Sequence, residues 1–158
     1  MLNNDVLRSL RYLLHVGDRV IVEIFELAGC QVSHDDVVAF LKKDDEAGYI
    51  ECRDELLAHF LNGLIMYKRG KDPTRPPPAI ELPITNNVVL KKVRVAFALK
   101  DTDIIDLIAK AGLVVTKAEL GAFFRLPSHR NYRDCGDQFL RYLFKGIAAA
   151  PPRPSAAS

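Results

Sequence analysis

The 158-residue chain is 49% hydrophobic and 27% charged, a composition that fits a folded globular protein of one ordinary domain or two small ones. Its formal charge of +2 conceals an asymmetry: residues 1–70 carry eight Lys/Arg against twelve Asp/Glu, residues 71–83 two of each, and residues 84–158 twelve against six, giving −4, 0 and +6. No apolar run approaches the roughly 20 residues that span a bilayer, and Asn3, Asn4 and Asp5 stand where a secretory signal carries positive charge, so a cytoplasmic protein without membrane contact is expected.

Apolar spacing is helical from the start. Asn3 or Asn4 is placed to cap a first helix whose stripe is Val6, Leu7, Leu10, Leu13 and Leu14. Asp18 opens a second helix with Ile21, Ile24, Phe25 and Ala28 on one face, and Gly29 can stop it in the left-handed conformation. Ser33 and Asp36 have the spacing of a reciprocal cap for a third helix running through Phe40 and Leu41. After a short turn, Glu51 opens a fourth helix carrying Leu56, Leu57, Phe60, Leu61 and Leu64. The stretch "KRGKDPTRPPPAIELP" cannot continue it, because proline fixes its backbone and lacks an amide hydrogen. An extended, semi-rigid linker is therefore set at residues 70–85.

The pattern then recurs. Shifted by 83 positions, residues 3–64 align with 86–147 without a gap, and 17 of the 62 pairs are identical. Chance at roughly 6% per position would give about four. Val89, Leu90, Val93, Ala96 and Phe97 repeat the first stripe; Asp101, Ile104, Leu107, Ile108, Ala111 and Gly112 repeat the second helix and its stop. Thr116 and Glu119 match the reciprocal cap in its strictest form, and Asp134 is placed to open the last helix, with Phe139, Leu140, Leu143, Phe144 and Ile147 on its face. The expectation is an all-α protein: residues 1–69 form an acidic helical repeat, 86–147 a basic one, and 148–158 a disordered tail. Each repeat has about four helices, and a shared apolar contact about a pseudo-twofold axis should pack them into one compact body.

The stretches "LNNDVLRSLRYLL", "IFELAG", "YIECRDELLAHFLNGLI", "VVLKKVRVAF" and "NYRDCGDQFLRYLFKGI" resemble the YehS-type bacterial proteins, a domain of unknown function (family 1456) present as two copies per chain. The resemblance spans residues 1–147. It implies a small bacterial cytoplasmic protein and supplies neither an activity nor catalytic residues; the linker and tail fall outside it.

Chemistry is sparse along the chain. Cys30, Cys52 and Cys135 are odd in number and widely spaced, which fits neither a disulfide framework nor a zinc site, so reduced thiols and no metal or cofactor are expected. Cys52 and Cys135 sit at matching positions near the start of the fourth helix, but His59 is replaced by Tyr142 in the second copy, leaving no recurrent base for a nucleophile. The stretch "TDIIDLIAKAGLVVTKAELGAFFR" has the order of a helix-turn-helix reader, yet its turn is long and its second helix lacks base-reading side chains, so an ordinary helical hairpin is favoured. The identical pairs Tyr49/Tyr132, Arg11/Arg94 and Asp18/Asp101 read as caps and satisfied buried hydrogen bonds. An enzyme with a dispersed site is the weakest reading.

The turn between helices three and four is the most informative site. It reads "KKDDEAGYIE" in the first copy and "RLPSHRNYRD" in the second. If one frame holds both, their charges have diverged upon it. Lys91, Lys92, Arg94, Arg125, His129, Arg130, Tyr132, Arg133 and Lys145 then form a candidate polyanion surface for RNA or a ribonucleoprotein, with a tyrosine ring for stacking. Asp44, Asp45, Glu46 and Glu51 form a candidate acidic docking surface, the basis of an alternative in which the chain binds a protein partner or itself head to tail.

Overall fold

The computed structural model describes residues 1–76 and 78–151. Eight helices follow one another: α1 (Asn3–Leu14), α2 (Asp18–Leu27), α3 (His34–Phe40), α4 (Asp54–Arg69), α5 (Asn86–Ala96), α6 (Asp101–Ala111), α7 (Lys117–Phe123) and α8 (Asp137–Ala149). There is no strand among the described residues. The apolar stripes read from the sequence are the core: Leu7, Leu10, Ile21, Ile24, Phe25, Leu57, Phe60 and Leu61 are buried in the first half, and Leu90, Val93, Ile104, Ile108, Leu140 and Leu143 in the second, within one continuous cluster. At roughly 1.5–3 kcal/mol for each fully buried large apolar side chain, this cluster supplies the drive to fold.

Packing is reciprocal between the halves. Within each, α4 lies on α2 and α8 on α6; between them, α5 lies on α4 and α1 on α8. The interhelix pairs run side by side in the same direction. At their start the backbone N–H of Ile84 donates to Asp54 at 3.1 Å, and the Met1 amino group lies 2.8 Å from Asp137. At the far end of the α4/α5 pair, Arg69 donates to the Val95 carbonyl, and Lys68 Nζ stands 5.0 Å from the centre of the Phe97 ring. A parallel pair needs a crossover, so the chain leaving α4 must retrace the helix, a length of about 24 Å, before α5 can begin. The linker does this, and at mid-helix the carbonyl of Pro78 accepts from Asn62 Nδ2 at 3.1 Å.

Neither Asn3 nor Asn4 caps α1; Leu2 holds the cap position without a side-chain bond, and in the second half Thr85 accepts from Val88 N–H. The asparagines reach sideways instead. Asn4 Nδ2 donates to the carbonyls of Phe40 (3.0 Å) and Ile50 (2.8 Å), and its Oδ1 accepts from Cys52 N–H (2.9 Å). Asn87 repeats all three on Phe123, Arg133 and Cys135 at 3.0, 2.8 and 2.9 Å. Asn3 and Asn86 donate to the carbonyls of Cys52 and Cys135 and to the carboxylates of Asp54 and Asp137.

Because residues 51–53 and 134–136 are held extended by these bonds, the fourth helix begins at Asp54 and Asp137, three residues beyond Glu51 and Asp134. Ala148 and Ala149, assigned to the tail, belong to α8; residues 152–158 of that tail lie outside the described residues. The Ser33 and Thr116 caps form, but the fully reciprocal box is the first one, Ser33 with Asp36.

Arg11 and Arg94 each lie near the aspartate that opens the next helix, Asp18 at 3.1 Å and Asp101 at 3.2 Å. The facing oxygen of each aspartate is buried outside hydrogen-bond geometry, so these are ion pairs rather than the satisfied hydrogen bonds expected.

Two close approaches fix the helix pairs. A Cβ on Gly63 would lie 2.1 Å from the Ile24 carbonyl oxygen, and one on Gly146 would lie 2.5 Å from that of Leu107. Both sit against backbone that no side-chain rotation can clear.

Three substitutions test this packing by chemical denaturation. Gly63→Ala should destabilise by about 2–4 kcal/mol, since the added methyl forces α4 off α2. Gly121→Ala, at an open position inside α7, should instead gain about 0.5–1 kcal/mol of helix propensity. Asn87→Ala should cost about 2–4 kcal/mol by leaving two carbonyls and one amide unpaired, with faster hydrogen exchange at the Cys135 amide.

Candidate functional site

The connections after α3 and α7 share one hydrogen-bond pattern, although Gly48 takes a φ of +85° where its counterpart Asn131 stays out of the left-handed region. Each folds as two consecutive turns: Glu46 N–H donates to the Lys43 carbonyl at 3.0 Å and Tyr49 N–H to the Glu46 carbonyl at 3.3 Å, matched by His129 on Leu126 at 2.8 Å and Tyr132 on His129 at 2.9 Å. Ile50 N–H then returns to the Ala39 carbonyl at 3.3 Å, as Arg133 N–H does to Ala122 at 3.2 Å. With the asparagine bonds beneath them, the two loops share a common hydrogen-bonded frame and differ in backbone at the second turn.

Side chains on that frame carry opposite charge. On the first loop Asp44, Asp45, Glu46 and Glu51 are all exposed. Lys42, which could offset them, turns its ammonium to the Ala47 carbonyl at 2.8 Å, and Glu46 caps its own turn by accepting from Lys43 N–H at 3.1 Å. On the second loop Arg125, His129, Arg130 and Arg133 are exposed and Tyr132 is half-buried. His129 Nδ1 accepts from Asn131 N–H at 3.0 Å, which fixes its ring. Partial burial, and then the neighbouring Asp134 carboxylate, hold the Tyr132 phenol above the ordinary tyrosine range.

The remaining candidates do not join this cluster. Lys92 is buried: its ammonium donates to Asn62 Oδ1 at 2.9 Å and lies 4.0 Å from Glu81, and desolvation holds its pKa down. It braces the α4/α5 seam and cannot meet a phosphate. Lys91 pairs with Glu81 at 2.8 Å, while Arg94 is occupied by Asp101 and stacks 4.5 Å above the Phe124 ring. Lys145 is exposed but belongs to a separate groove between α1 and α8, with Arg8, Tyr12 and Arg141. Position in sequence grouped these cations; the linker's Glu81 and the fold separate them.

Cys52 and Cys135 lie in the extended segments before α4 and α8, not in the helices. Burial pushes both thiols up to about 12, so neither is a thiolate at neutral pH. Their amides, bonded to Asn4 and Asn87, carry the structural role. Among the described residues no three His, Cys, Asp or Glu side chains stand together as metal ligands, and no helix is long and apolar enough to cross a membrane.

Residues 3–70 and 86–150 each match the family described as protein of unknown function, DUF1456, and the break between the two segments falls on the linker. Over 149 residues the chain is 45% identical to the uncharacterized protein YehS of Escherichia coli (strain K12), covering 94% of this chain and 96% of that one. No solved structure matches. By both similarities, the chain is a member of the DUF1456 family.

Proposed function

We propose that the chain is a non-enzymatic binding protein whose second half contacts RNA, alone or in a ribonucleoprotein, through backbone phosphates. The observation that carries this reading is the common loop frame: one scaffold displays four carboxylates at Asp44, Asp45, Glu46 and Glu51, while its copy displays Arg125, Arg130 and Arg133 with His129 and Tyr132. A frame fixed by backbone bonds loses little entropy when its cations meet an anion. Exposed guanidinium groups offer paired donors to phosphate oxygens, and the open part of the Tyr132 ring offers a face to an unpaired base. A reducing, cytoplasmic setting belongs to the same reading and is supported by three free cysteines.

The acidic loop favours a second reading, association with an oppositely charged protein or with the basic loop of another copy.

Fluorescence anisotropy against a short single-stranded RNA decides the first. If three phosphates are contacted, affinity should fall with salt at a log–log slope of about −2, and Arg130→Glu with Arg133→Glu should abolish most of it. Absence of binding at low salt removes the proposal. Light scattering across ionic strength checks self-association: a head-to-tail contact should enlarge the particle at low salt and lose that growth in Asp44→Lys, Asp45→Lys.

A further inference from the structure

The two parallel seams of the molecule are equivalent in register but not in dress. On the α4/α5 seam the crossover linker lies over the groove: Pro78 caps Asn62, Glu81 pairs with Lys91, and Asn62 and Lys92 are buried beneath. The same positions on the α1/α8 seam, 83 residues away, are Lys145 for Asn62, Arg8 for Lys91 and Ser9 for Lys92. There no described segment crosses over, and an open groove of about 580 Å³ remains, lined by Arg8, Ser9, Tyr12, Arg141, Phe144 and Lys145 among others.

We propose that this groove is a docking site for a proline-containing segment of a partner protein that carries a carboxylate, bound as the chain's own linker is bound on the other seam. The linker shows what the frame accepts: a proline-bearing segment whose Pro78 carbonyl turns to Asn62 on α4 and whose Glu81 carboxylate turns to Lys91 on α5. The open groove offers the same chemistry with more charge. Arg141 and Lys145 stand one turn apart on α8, both exposed and without an ion pair among the described residues. Arg8 lies across from them, already engaged with Asp5 and with the Lys42 carbonyl at 2.9 Å, so it defines the wall more than it seeks a partner. Tyr12 is 73% exposed where the covered seam has Val95. An exposed aromatic ring in a groove that Phe144 also lines is the kind of surface on which a proline-bearing segment packs at low entropic cost. The site is distinct from the basic loop at 125–133, and its occupant is a peptide rather than a nucleic acid because its floor is apolar.

The probe is a labelled synthetic peptide of linker residues 73–84, titrated into the full chain. Saturable binding should appear below about 1 mM, as is usual for short peptides. It should weaken at least about fivefold with Arg141→Glu and Lys145→Glu together, with Tyr12→Ala, or when the peptide carries Glu81→Gln. No saturation, or saturation insensitive to the α8 substitutions, overturns the proposal. So does displacement by a short RNA acting through the same two cations, which would make the groove a polyanion site. A chain with Pro151, Pro152 and Pro154 changed to Ser tests the remaining occupant: if only this variant binds the peptide, the groove belongs to the chain's own tail and the partner assignment falls.

Discussion

Two buried carboxamides hold the architecture in place. Asn4 and Asn87 each spend both amide hydrogens and the carbonyl oxygen on three backbone groups from the end of α3 or α7 and from the segment before α4 or α8. Only asparagine fits that pattern. Glutamine is too long, and aspartate would place an acceptor against two carbonyls. The loops above these side chains are thus anchored from below, with Glu46 and the left-handed Gly48 completing the first and His129 the second. That shared anchoring lets one loop be acidic and its counterpart basic on the same hydrogen-bond pattern.

The same reciprocity organises the contact between halves. Asp54 receives Asn3 from its own half and the Ile84 amide from the beginning of the other, and Asp137 receives Asn86 and the Met1 amino group. In the second case the donor is a cation, and its bond leads the causes that hold the Asp137 carboxyl below the ordinary range. A carboxylate with a depressed pKa adds stability above the unfolded value near 4 and loses it as acid is added. Helix starts thus serve as the junctions of the molecule, while Gly63 and Gly146 let the helices between them approach to backbone contact.

Much of this was legible in the sequence because burial imposes periodicity. The stripes of α1, α2, α4, α5, α6 and α8, the stops at Gly29 and Gly112, the caps at Ser33 and Thr116 and the matched loops follow from spacing and from the alignment of the chain with itself. What was not legible depended on distance in sequence. Asn3 and Asn4 look like caps because a local partner is always the simplest one to imagine, and nothing local announces that their partners lie 36 to 51 residues away. The late start of α4 and α8 has the same origin, since residues 51–53 satisfy the rules for a helix and are pulled straight by those asparagines. Lys92 looked like surface charge for want of a linker to lay over it. Arg8, Tyr12 and Arg141 carry no shared motif, and only the packing of α1 on α8 brings them together.

The direction of the paired helices has a topological corollary. Each half begins where its neighbour's last helix begins, so a connection between halves must travel the full length of that helix, on whichever seam it is placed. A circular permutant joined through a second copy of the linker between Ala149 and Asn3, with residues 71–83 removed from between α4 and α5, would keep the helix pairs while moving the cover from one seam to the other. Which side of the molecule is open to visitors is then a property of connectivity alone, separable from the fold that both sides share.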